Sequence, residues 1–444
     1  GPYGGPSAAT PTLNALAERG VVFENCYSGA PWTPPSHATM FTGTYPSHHD
    51  VRAHDLTFPE TGPWLPELLS AAGIRTQGVG SEPWLSRAQG FARGFDRFHD
   101  SSKVGENLRD VGHHRLNDFP ALVRAGAGYA GQSLRERAGS GTGAAQFGVH
   151  LFREWARRAG AFTFTNISVA HGPYDPPQAF RERLGVTADP EKFNTEDAHK
   201  LRTGELDLAD VDWERLRRLY QAGVAHADHL LGRALDGLPE DTWIIVTADH
   251  GELLGEHGGE MRHQFSLHDE VINVPLVVAH PSLEPGRRTD LVSHVDLLPT
   301  VRDVLEREGR APPDPGELPG RSLLEPPATD RTVFAEYGPP ATQVNALLNS
   351  VDGVSDETVA ELYRSIRAAI TPEYKLITYS DGSRELYRTG DESENLADET
   401  PDVVADLEAR MADELGEPAE PDFENIDAYV REGVEDQLRE LGYL

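Results

Sequence analysis

Helical and extended apolar patterns alternate along most of the chain. Apolar residues at helical spacing predict helices over 64–72 and 210–238, and continuous apolar runs predict buried strands over 74–79, 162–169 and 242–248. The last run is rich in β-branched residues, which is typical of a parallel strand covered on both faces. The alternation of helices with buried strands favours an α/β fold with a mostly parallel sheet.

The first part of the chain follows the same alternation. Thr10-Pro11 begins a predicted helix that ends at Gly20, and a strand starts at Val21. A proline-rich turn then opens a short helix over 33–42, which ends at a glycine. This order of strand, tight turn and helix places a hydroxyl side chain at the turn.

The pattern changes after about residue 325. Apolar runs over 374–379 and 384–387 flank Asp381-Gly382, which is a strong hairpin signal. We interpret 126–145, which is rich in Gly, Ala and Ser, as an insertion or loop. The predicted domains are an α/β domain over 1–325, a small antiparallel subdomain over 326–415, and an acidic tail with a terminal helix over 416–444.

The 444 residues include 72 Asp and Glu against 40 Lys and Arg, which gives a formal net charge of −32 at pH 7. This charge disfavours nucleic acid and anionic membranes as partners, because both require a positive surface. The acidic residues are spread along the chain, and only four of the basic residues are Lys. Such a surface suits a salt-saturated cytosol, so we interpret it as haloarchaeal. An acidic protein from a high-GC actinobacterium is the alternative.

The compartment is constrained only weakly. A single cysteine, Cys26, excludes an intrachain disulfide and a metal site built from several cysteines. No run reaches the roughly 18 apolar residues of a membrane span. We expect a cytoplasmic protein, while secretion and the oligomeric state stay open.

Asp249 and His250 directly follow the strongest predicted strand. In open α/β sheets, ligands bind beyond the carboxyl ends of the strands, so both side chains are placed to reach a ligand. A carboxylate with an imidazole suits a hard-to-borderline divalent ion. A turn in which the aspartate caps a helix explains the same residues equally well.

Thr33 lies on the proline-rich turn, with Ser36 and His37 within one helical turn of it. Helix N-termini bind anions through free N–H groups, so the hydroxyl is placed where a phosphate or sulfate would rest. A threonine N-cap followed by proline explains the local pattern without any chemistry.

His171 follows the predicted strand over 162–169 and begins a proline-rich loop. Its imidazole could donate to an anion or protonate a leaving group, although a lone histidine is more often structural. All three candidate sites follow predicted strands, so their order and spacing can be compared with those of known families.

Taken together, these motifs resemble the sulfatase family of the alkaline-phosphatase superfamily, over about residues 10–401. The residues from Thr33 read Thr-Pro-Pro-Ser-His, where sulfatases carry Cys/Ser-x-Pro-Ser-Arg. The motifs that complete the resemblance are, in chain order, Thr10–Val21, Thr42–Pro46 with His49, His171–Tyr174, Asp249–Gly251 with Gly255–Gly258, Val274–Leu276, His294–Thr300 and Glu385–Tyr387.

The resemblance implies an alkaline-phosphatase-like three-layer sandwich with a mostly parallel central sheet, together with a small antiparallel C-terminal α+β subdomain. It also implies Thr33 as nucleophile and metal ligand, and Asp249 and His250 as ligands of one divalent ion, which could be Ca, Mg, Mn or Zn. His171 would bind the ester anion or act as general acid. The metal would lower the pKa of the Thr33 hydroxyl, while helix N–H groups would hold the ester oxygens.

Three departures from the family pattern bear on the substrate. Sulfatases oxidise a Cys or Ser to formylglycine, and Thr33 cannot form that group because its Cβ carries a methyl. His37, which we keep as a catalytic residue, stands in place of the motif arginine, and His263 or Gln264 stands in place of a lysine. The family's Lys-x-His strand is also replaced, near 81–84. We therefore expect a pocket with little fixed positive charge.

The candidate anion ligands in this pocket are Ser36, His263 and Gln264. Relatives with a Thr nucleophile act on phosphate esters, so hydrolysis of a phosphodiester or phosphonate ester, or group transfer, is as plausible as cleavage of a sulfate ester. The partner in each case is a small anionic ester. A catalytically degenerate binding protein is a further alternative, which stoichiometric metal would contradict.

The family's first strand, which ends in a metal-binding aspartate, normally precedes a stretch like Gly1–Gly4. We therefore expect the given sequence to be a fragment in which that strand and its aspartate are not included.

Overall fold

The computed structural model describes residues 2–52, 56–100, 142–186, 195–340, 344, 347–348 and 354–417. The strands in these ranges are β1 Val21–Tyr27, β2 Arg75–Gly80, β3 Arg97–Asp100, β4 Ala161–Thr165, β5 Ile244–Thr247, β6 Leu253–Leu254, β7 Met261–Arg262, β8 Asn273–Ala279, β9 Gly286–Ser293, β10 Val333–Tyr337, β11 Ile366–Ile370, β12 Tyr374–Tyr379 and β13 Arg384–Arg388.

The helices are α1 Pro11–Ala17, α2 Thr33–Thr42, α3 Pro46–His49, α4 Leu65–Ala71, α5 Thr142–Ala156, α6 Gln178–Arg183, α7 Thr195–Arg202, α8 Trp213–Leu235, α9 Glu256–Gly259, α10 Asp269–Ile272, α11 Leu297–Arg307, α12 Asp356–Leu362 and α13 Pro401–Leu415. Short 3₁₀ turns cover Leu208–Asp210 and His294–Asp296. None of these helices is both long and apolar enough to cross a membrane.

Two neighbouring sheets form the centre of the α/β part, with strand orders β5-β8-β1-β9 and β3-β2-β4. Three of their five strand pairs are parallel, and β8 runs antiparallel to β1 and β5. The α/β fold with a mostly parallel central sheet is therefore confirmed.

Helices cover both faces of the sheet that contains β2 and β4. Val79 of β2 pairs with Thr165 of β4, so the two side chains share one face, and Val79 packs there against Trp155 of α5. Phe164 precedes Thr165 and points to the opposite face, where its ring lies 5.0 Å from that of Phe41 in α2. This arrangement of helix, sheet and helix is the predicted layered sandwich.

The structure corrects the prediction for β5. Its pairing with β8 is antiparallel, and of its four residues only Ile244 is buried. An apolar, β-branched run fits either strand direction, and the direction is set by a partner that lies about thirty residues further along the chain. On their other edges, β4 and β5 pair with no strand among the described residues, and both line one cavity of about 1730 Å³.

The C-terminal sheet has the order β10-β11-β12-β13, with antiparallel pairs throughout. Gly382 takes a φ of +89° in the predicted turn between β12 and β13, a conformation that suits glycine. Helix α13 packs on this sheet through Val404, Leu407 and Met411. The antiparallel C-terminal subdomain is thus confirmed, while the predicted domain boundaries stay a prediction.

Two further predictions fall largely outside the described residues. The loop expected over 126–145 is outside them up to residue 141, and its last four residues already belong to α5, which corrects that part of the expectation. The tail expected over 416–444 is outside them from residue 418 onward.

Buried ion pairs connect the C-terminal sheet with the α/β part. Lys375 of β12 is completely buried, and its ammonium nitrogen lies 2.7 Å from Asp269 and 2.6 Å from Glu392. Arg331 donates two hydrogen bonds of 2.6 Å to the carboxylate of Asp296, which is also completely buried. Paired charges of this kind hold the two parts in one arrangement, because separating them leaves buried charge unpaired.

Candidate active site

Thr33 is the first residue of α2, and it lines the cavity beside β4 and β5. Trp32 is extended, with φ −154° and ψ 167°, and is itself the N-cap, so Thr33 does not have the capping role that a purely structural explanation assigns to it. The prolines after Thr33 suit the first helical turn and fix the start of the helix. Thr33 is only 4% exposed, so its side chain is shielded from bulk solvent.

The same prolines limit what the start of α2 offers to an anion. Pro34 and Pro35 have no N–H, and the Ser36 N–H donates to the Trp32 carbonyl at 3.2 Å. At most the Thr33 amide remains available in the first turn. The expectation that several helix N–H groups hold the ester oxygens is therefore wrong, and other donors must do so.

Asp249 and His250 follow β5 and lie beside Thr33. The Thr33 hydroxyl lowers the pKa of the Asp249 carboxylate, and Oδ2 of that carboxylate lies 3.6 Å from Nε2 of His250 and 3.7 Å from Nδ1 of His37. Burial opposes ionisation, yet the neighbouring imidazoles in their protonated form and the Thr33 hydroxyl together hold the pKa of Asp249 well below its ordinary value. Asp249 is therefore an ionised acceptor at neutral pH.

The ring orientation of His250 bears on metal binding. Its Nδ1 lies 2.9 Å from the carbonyl oxygen of Gly251. A carbonyl can only accept, so we assign the hydrogen to Nδ1, which leaves the lone pair of the neutral ring on Nε2. Nε2 and Oδ2 of Asp249 then present lone pairs to each other, and a cation between or beside them relieves that repulsion. An imidazole nitrogen and a carboxylate oxygen are ordinary ligands of divalent ions, so these residues fit such a group.

Ser36 has a different role from the one expected. It is completely buried, and its hydroxyl donates to the backbone carbonyl of Asp249 at 2.7 Å. Ser28 Oγ and His294 Nδ1 lie 3.1 Å and 3.3 Å from the Ser36 hydroxyl oxygen. The prediction that Ser36 binds the anion is wrong, because its single proton is committed to the backbone that carries Asp249.

His37 lies one helical turn after Thr33 and contacts the Thr33 backbone. Its Nδ1 is 2.9 Å from the Thr33 carbonyl oxygen, and its ring contacts the edges of Phe91 and Phe164. Burial lowers the pKa of His37, so the ring is neutral rather than a replacement for the motif arginine's charge. This position suits orientation of Thr33 and Asp249 and leaves the proposed catalytic role of His37 a prediction.

His171 lies on the loop after β4 and lines the same cavity. Its Nδ1 is 2.6 Å from the Gly172 carbonyl oxygen, which again places the hydrogen on Nδ1. Burial, with smaller contributions from Arg262 and His263, lowers the pKa of His171 to about 3. In the free site its Nε2 is therefore a proton acceptor, and a general-acid role requires that the bound ester anion raises this pKa.

His263 is brought to the site as predicted. Its ring is 4.0 Å from that of His250 and 5.4 Å from that of His171, and its Nδ1 lies 3.0 Å from Oε1 of Glu252. Nε2 is buried and has no hydrogen-bond partner among the described residues. Gln264 follows His263 and is half-buried, and its role as an anion ligand stays a prediction.

Arg262 is a basic residue of the site that the sequence reasoning passed over. It is 8% exposed and takes a φ of +72°, and its guanidinium packs so closely on Gly172 that any side chain there would collide with it. Its charge contributes to lowering the pKa values of His171 and His263. Arg262 therefore adds one fixed positive charge to a region in which little was expected, and it lies one residue before the position where the family lysine was sought.

Glu82 is a second residue that was missed, although it lies in the stretch that replaces the family's Lys-x-His strand. It is 7% exposed and lines the cavity. Burial and the charge of Asp249 raise the pKa of Glu82 to about 7, and Ser168 and Arg262 oppose the rise. A buried acid in an unexpected position gives no periodic sequence signal, so only the fold identifies it.

The charges around the cavity favour a bound cation. The carboxyl groups of Glu82, Asp249 and Glu252 share this region with the guanidinium of Arg262, and burial lowers the pKa values of His171 and His263. An anionic ester would be repelled by such a set unless a divalent ion were present, because Coulomb interactions are strong away from water.

Comparisons with known proteins show a family and a fold. The sulfatase family profile matches residues 1–306. The chain is 27% identical to a choline-sulfatase of Rhizobium meliloti (strain 1021) over 328 residues, which are 66% of this chain and 62% of the relative. It is 24% identical to arylsulfatase K of Canis lupus familiaris over 451 residues, 94% of this chain and 79% of the relative.

Among solved structures, the phosphonate monoester hydrolase of Agrobacterium radiobacter aligns with a TM-score of 0.64 at 19% identity, over 92% of this chain and 91% of that chain. At this identity the likeness supports a shared fold.

Proposed function

The chain belongs to the sulfatase family of ester hydrolases, and we propose that it hydrolyses a small anionic sulfate or phosphate ester with the Thr33 hydroxyl as nucleophile. The observation that carries the proposal is the contact between Thr33 and Asp249 at the start of α2. A carboxylate at this place is suited to accept a hydrogen bond from the Thr33 hydroxyl, to orient the Thr33 oxygen and to favour its deprotonation.

Asp249, His250 and the Thr33 hydroxyl would hold one divalent ion. Such an ion, when bound, lowers the pKa of the hydroxyl and offsets the negative charge of the ester. His37 keeps the Thr33 backbone in place through its contact with the Thr33 carbonyl. Ser36 does the same for Asp249 through the backbone bond described above.

Arg262 is the residue best suited to bind the ester oxygens. It carries a permanent charge next to His171 and Gly172, and the start of α2 has few free N–H groups to offer. His171 and Gln264 would complete the anion site. Glu82, with a pKa near 7, can hold a proton at neutral pH, so it is a candidate donor to the leaving group.

The substrate class follows from the side chain of Thr33. The Cβ methyl prevents conversion to formylglycine, so we propose a direct hydroxyl nucleophile. A hydroxyl nucleophile is as compatible with hydrolysis of a phosphodiester or phosphonate ester, or with phospho-group transfer, as with cleavage of a sulfate ester. A fold-retaining binding protein with a degenerate site is the remaining alternative, and it differs from an enzyme in metal content and turnover.

A substrate panel tests the proposal. Aryl sulfate, phosphate monoester, phosphodiester and phosphonate would be incubated at high salt with Mg, Ca, Mn or Zn, using a chain that includes any upstream residues. We expect metal-dependent turnover of at least one ester, lost in Thr33→Ala and retained in part in Thr33→Ser. Turnover that is equal in Thr33→Ala would remove Thr33 from the mechanism, and a chain that neither holds stoichiometric metal nor turns over any ester would favour the binding protein.

The acidic, Lys-poor composition supports a further part of the proposal, a haloarchaeal type of protein that works in concentrated salt. Strong salt screens repulsion between surface carboxylates, and it also reduces repulsion of an anionic substrate by the net charge of −32.

A further inference from the structure

A second group of metal-ligand side chains lies where α9 and α10 meet the C-terminal sheet. His257, His268 and Glu392 each offer one ligand atom, and these atoms all lie within 4.8 Å of one another. Among the described residues, this is the group of three that meets that spacing, and it contains neither Asp249 nor His250. The group is therefore distinct from the candidate active site.

The two histidines are stacked face to face. Their ring centroids are 3.7 Å apart with 19° between the planes. Nε2 of His257 lies 3.7 Å from Oε2 of Glu392 and 2.9 Å from Oε2 of Glu270. On His268, Nε2 lies 3.3 Å from Oε2 of Glu385, and Nδ1 lies 2.8 Å from Oγ of Ser266.

The group combines burial with an excess of negative charge. His268 is 8% exposed, and the side chains of Glu392 and His257 are 7% and 20% exposed. The carboxyl groups of Glu270, Glu385 and Glu392 lie against the rings, and the Lys375 ammonium pairs with Glu392 and with Asp269. One ammonium does not offset these carboxylates, so a further cation, a metal ion or a proton on a histidine, is favoured here.

The backbone of His257 is held in an uncommon conformation. Its φ is +49° and its ψ is +48°, a region that costs free energy for a side chain other than glycine. Glycines on both sides, Gly255 and Gly258, also have positive φ and allow the tight turn. The turn directs His257 toward Glu392 and His268 rather than along a regular helix.

We propose that His257, His268 and Glu392 bind one Zn²⁺ ion. Two imidazole nitrogens and a carboxylate oxygen are characteristic zinc ligands, and the neighbouring Glu270 carboxylate or a water would supply the fourth. The ion would fasten the segment 255–268 to the turn after β13. That segment carries Arg262 and His263, so the site would also support the candidate active site from a distance.

The competing explanation is a proton in place of the metal. His257 would then be an imidazolium bound to Glu270, and His268 would stack on it as a neutral ring. This alternative predicts no specific uptake of zinc, so the two are separated by direct measurement of metal content.

The test is zinc content of the full chain after removal of metal and dialysis against Zn²⁺ buffered by a weak chelator. We expect His257→Gln and His268→Gln each to hold one zinc fewer per chain than the unmodified protein. His48→Gln, which removes an exposed histidine, should match the unmodified protein. Equal zinc in all four proteins would overturn the proposal.

Two further measurements complete the design: thermal unfolding with and without Zn²⁺, and the zinc content of the Asp249→Asn variant. Zn²⁺ should raise the Tm of the unmodified protein and of His48→Gln, and should raise that of His257→Gln by at most half as much. Asp249→Asn should keep the zinc that His257→Gln loses. If Asp249→Asn leaves total metal unchanged, the proposed catalytic ion fails while this site stands. If His257→Gln leaves the zinc content and the Zn²⁺-induced rise in Tm unchanged while Asp249→Asn loses metal, this site fails and the catalytic proposal stands.

Discussion

Oδ2 of Asp249 lies 3.6 Å from Nε2 of His250, although the contact of His250 Nδ1 with Gly251 leaves no hydrogen on Nε2 of the neutral ring. Two lone pairs that face each other at this distance are unfavourable without a cation. The Thr33 hydroxyl lowers the pKa of the same carboxylate, so a cation placed there also lies beside the proposed nucleophile.

Replacement of Asp249 tests this arrangement. We expect Asp249→Asn to weaken metal binding by at least about 100-fold, because even the loss of an outer hydrogen-bond partner commonly costs 10–100-fold in metal affinity. The measurement is a titration of the full chain with Mn²⁺, followed by turnover at saturating metal. Asp228→Asn is the matched control, since Asp228 also lines the cavity but accepts hydrogen bonds from the Thr12 and Leu13 amides. Normal metal affinity in Asp249→Asn would contradict the ligand assignment.

Glu82 makes stability depend on pH. Its pKa is raised from the ordinary 4.5 to about 7, so the folded state disfavours its ionisation, and stability is lost as the pH rises from about 4.5 through 7. The full interval corresponds to about 3 kcal/mol. We expect Glu82→Gln, which cannot ionise, to be more stable than the unmodified protein at pH 8 by about that amount.

Urea unfolding of the metal-free protein at pH 4.5 and pH 8 measures this difference. The advantage of Glu82→Gln should be small at pH 4.5, where Glu82 is protonated in the folded state and only half ionised in the unfolded state. An advantage that does not change between the two pH values would show that Glu82 ionises normally in the folded protein.

The buried ammonium of Lys375 is expected to be important for stability. Lys375→Met leaves the carboxylates of Asp269 and Glu392 without their partner, and removal of one member of a buried ion pair costs about 3–5 kcal/mol. The exposed pair Arg410–Asp406 provides the control, since Arg410→Met should cost less than about 1 kcal/mol. Equal denaturant midpoints for Lys375→Met and Arg410→Met would contradict the structural role of Lys375.

Salt dependence tests the interpretation of the net charge. Turnover and Tm should both rise between low salt and molar KCl, because the Debye length falls to about 3 Å at 1 M and repulsion among surface carboxylates is screened. A parallel series in sucrose, which is excluded from the protein surface but carries no charge, separates charge screening from stabilisation by an excluded solute. Activity that falls steadily with KCl would support the ordinary acidic protein instead.

The sequence predicts most of the fold because local signals agree with it. The hairpin at Gly382 and the helix that ends at Gly43 each depend on a glycine with positive φ, and such turns are readable from neighbouring residues. The predicted parallel direction of β5 was wrong because apolar content does not encode strand direction. Its partner β8 is fixed by tertiary packing, which leaves no mark in the run 242–248 itself.

The site could be predicted only where motif residues adjoin strands. Thr33, His171, Asp249, His250 and His263 all line or border the cavity or lie in ring contact there, as their positions after strands suggested. The role of Ser36 could not be predicted, because its commitment to the Asp249 carbonyl depends on a contact across 213 residues.

The remaining features gave weaker local signals. Glu82 lies within a stretch that replaces a family motif, and Arg262 lies beside an expected motif position. Glu392 joins His257 and His268 from the far end of the C-terminal sheet, so no spacing rule connects the three residues.

The most direct test of the central claim is detection of a covalent intermediate on Thr33. A slow aryl ester from the panel would be mixed with metal-loaded enzyme and quenched in acid, and peptides covering residues 30–45 would be analysed by mass spectrometry. The account predicts one sulfuryl or phosphoryl group on Thr33, absent in Thr33→Ala and dependent on the metal. Steady turnover by an enzyme whose Thr33 peptide is never modified, with equal turnover by Thr33→Ala, would contradict it.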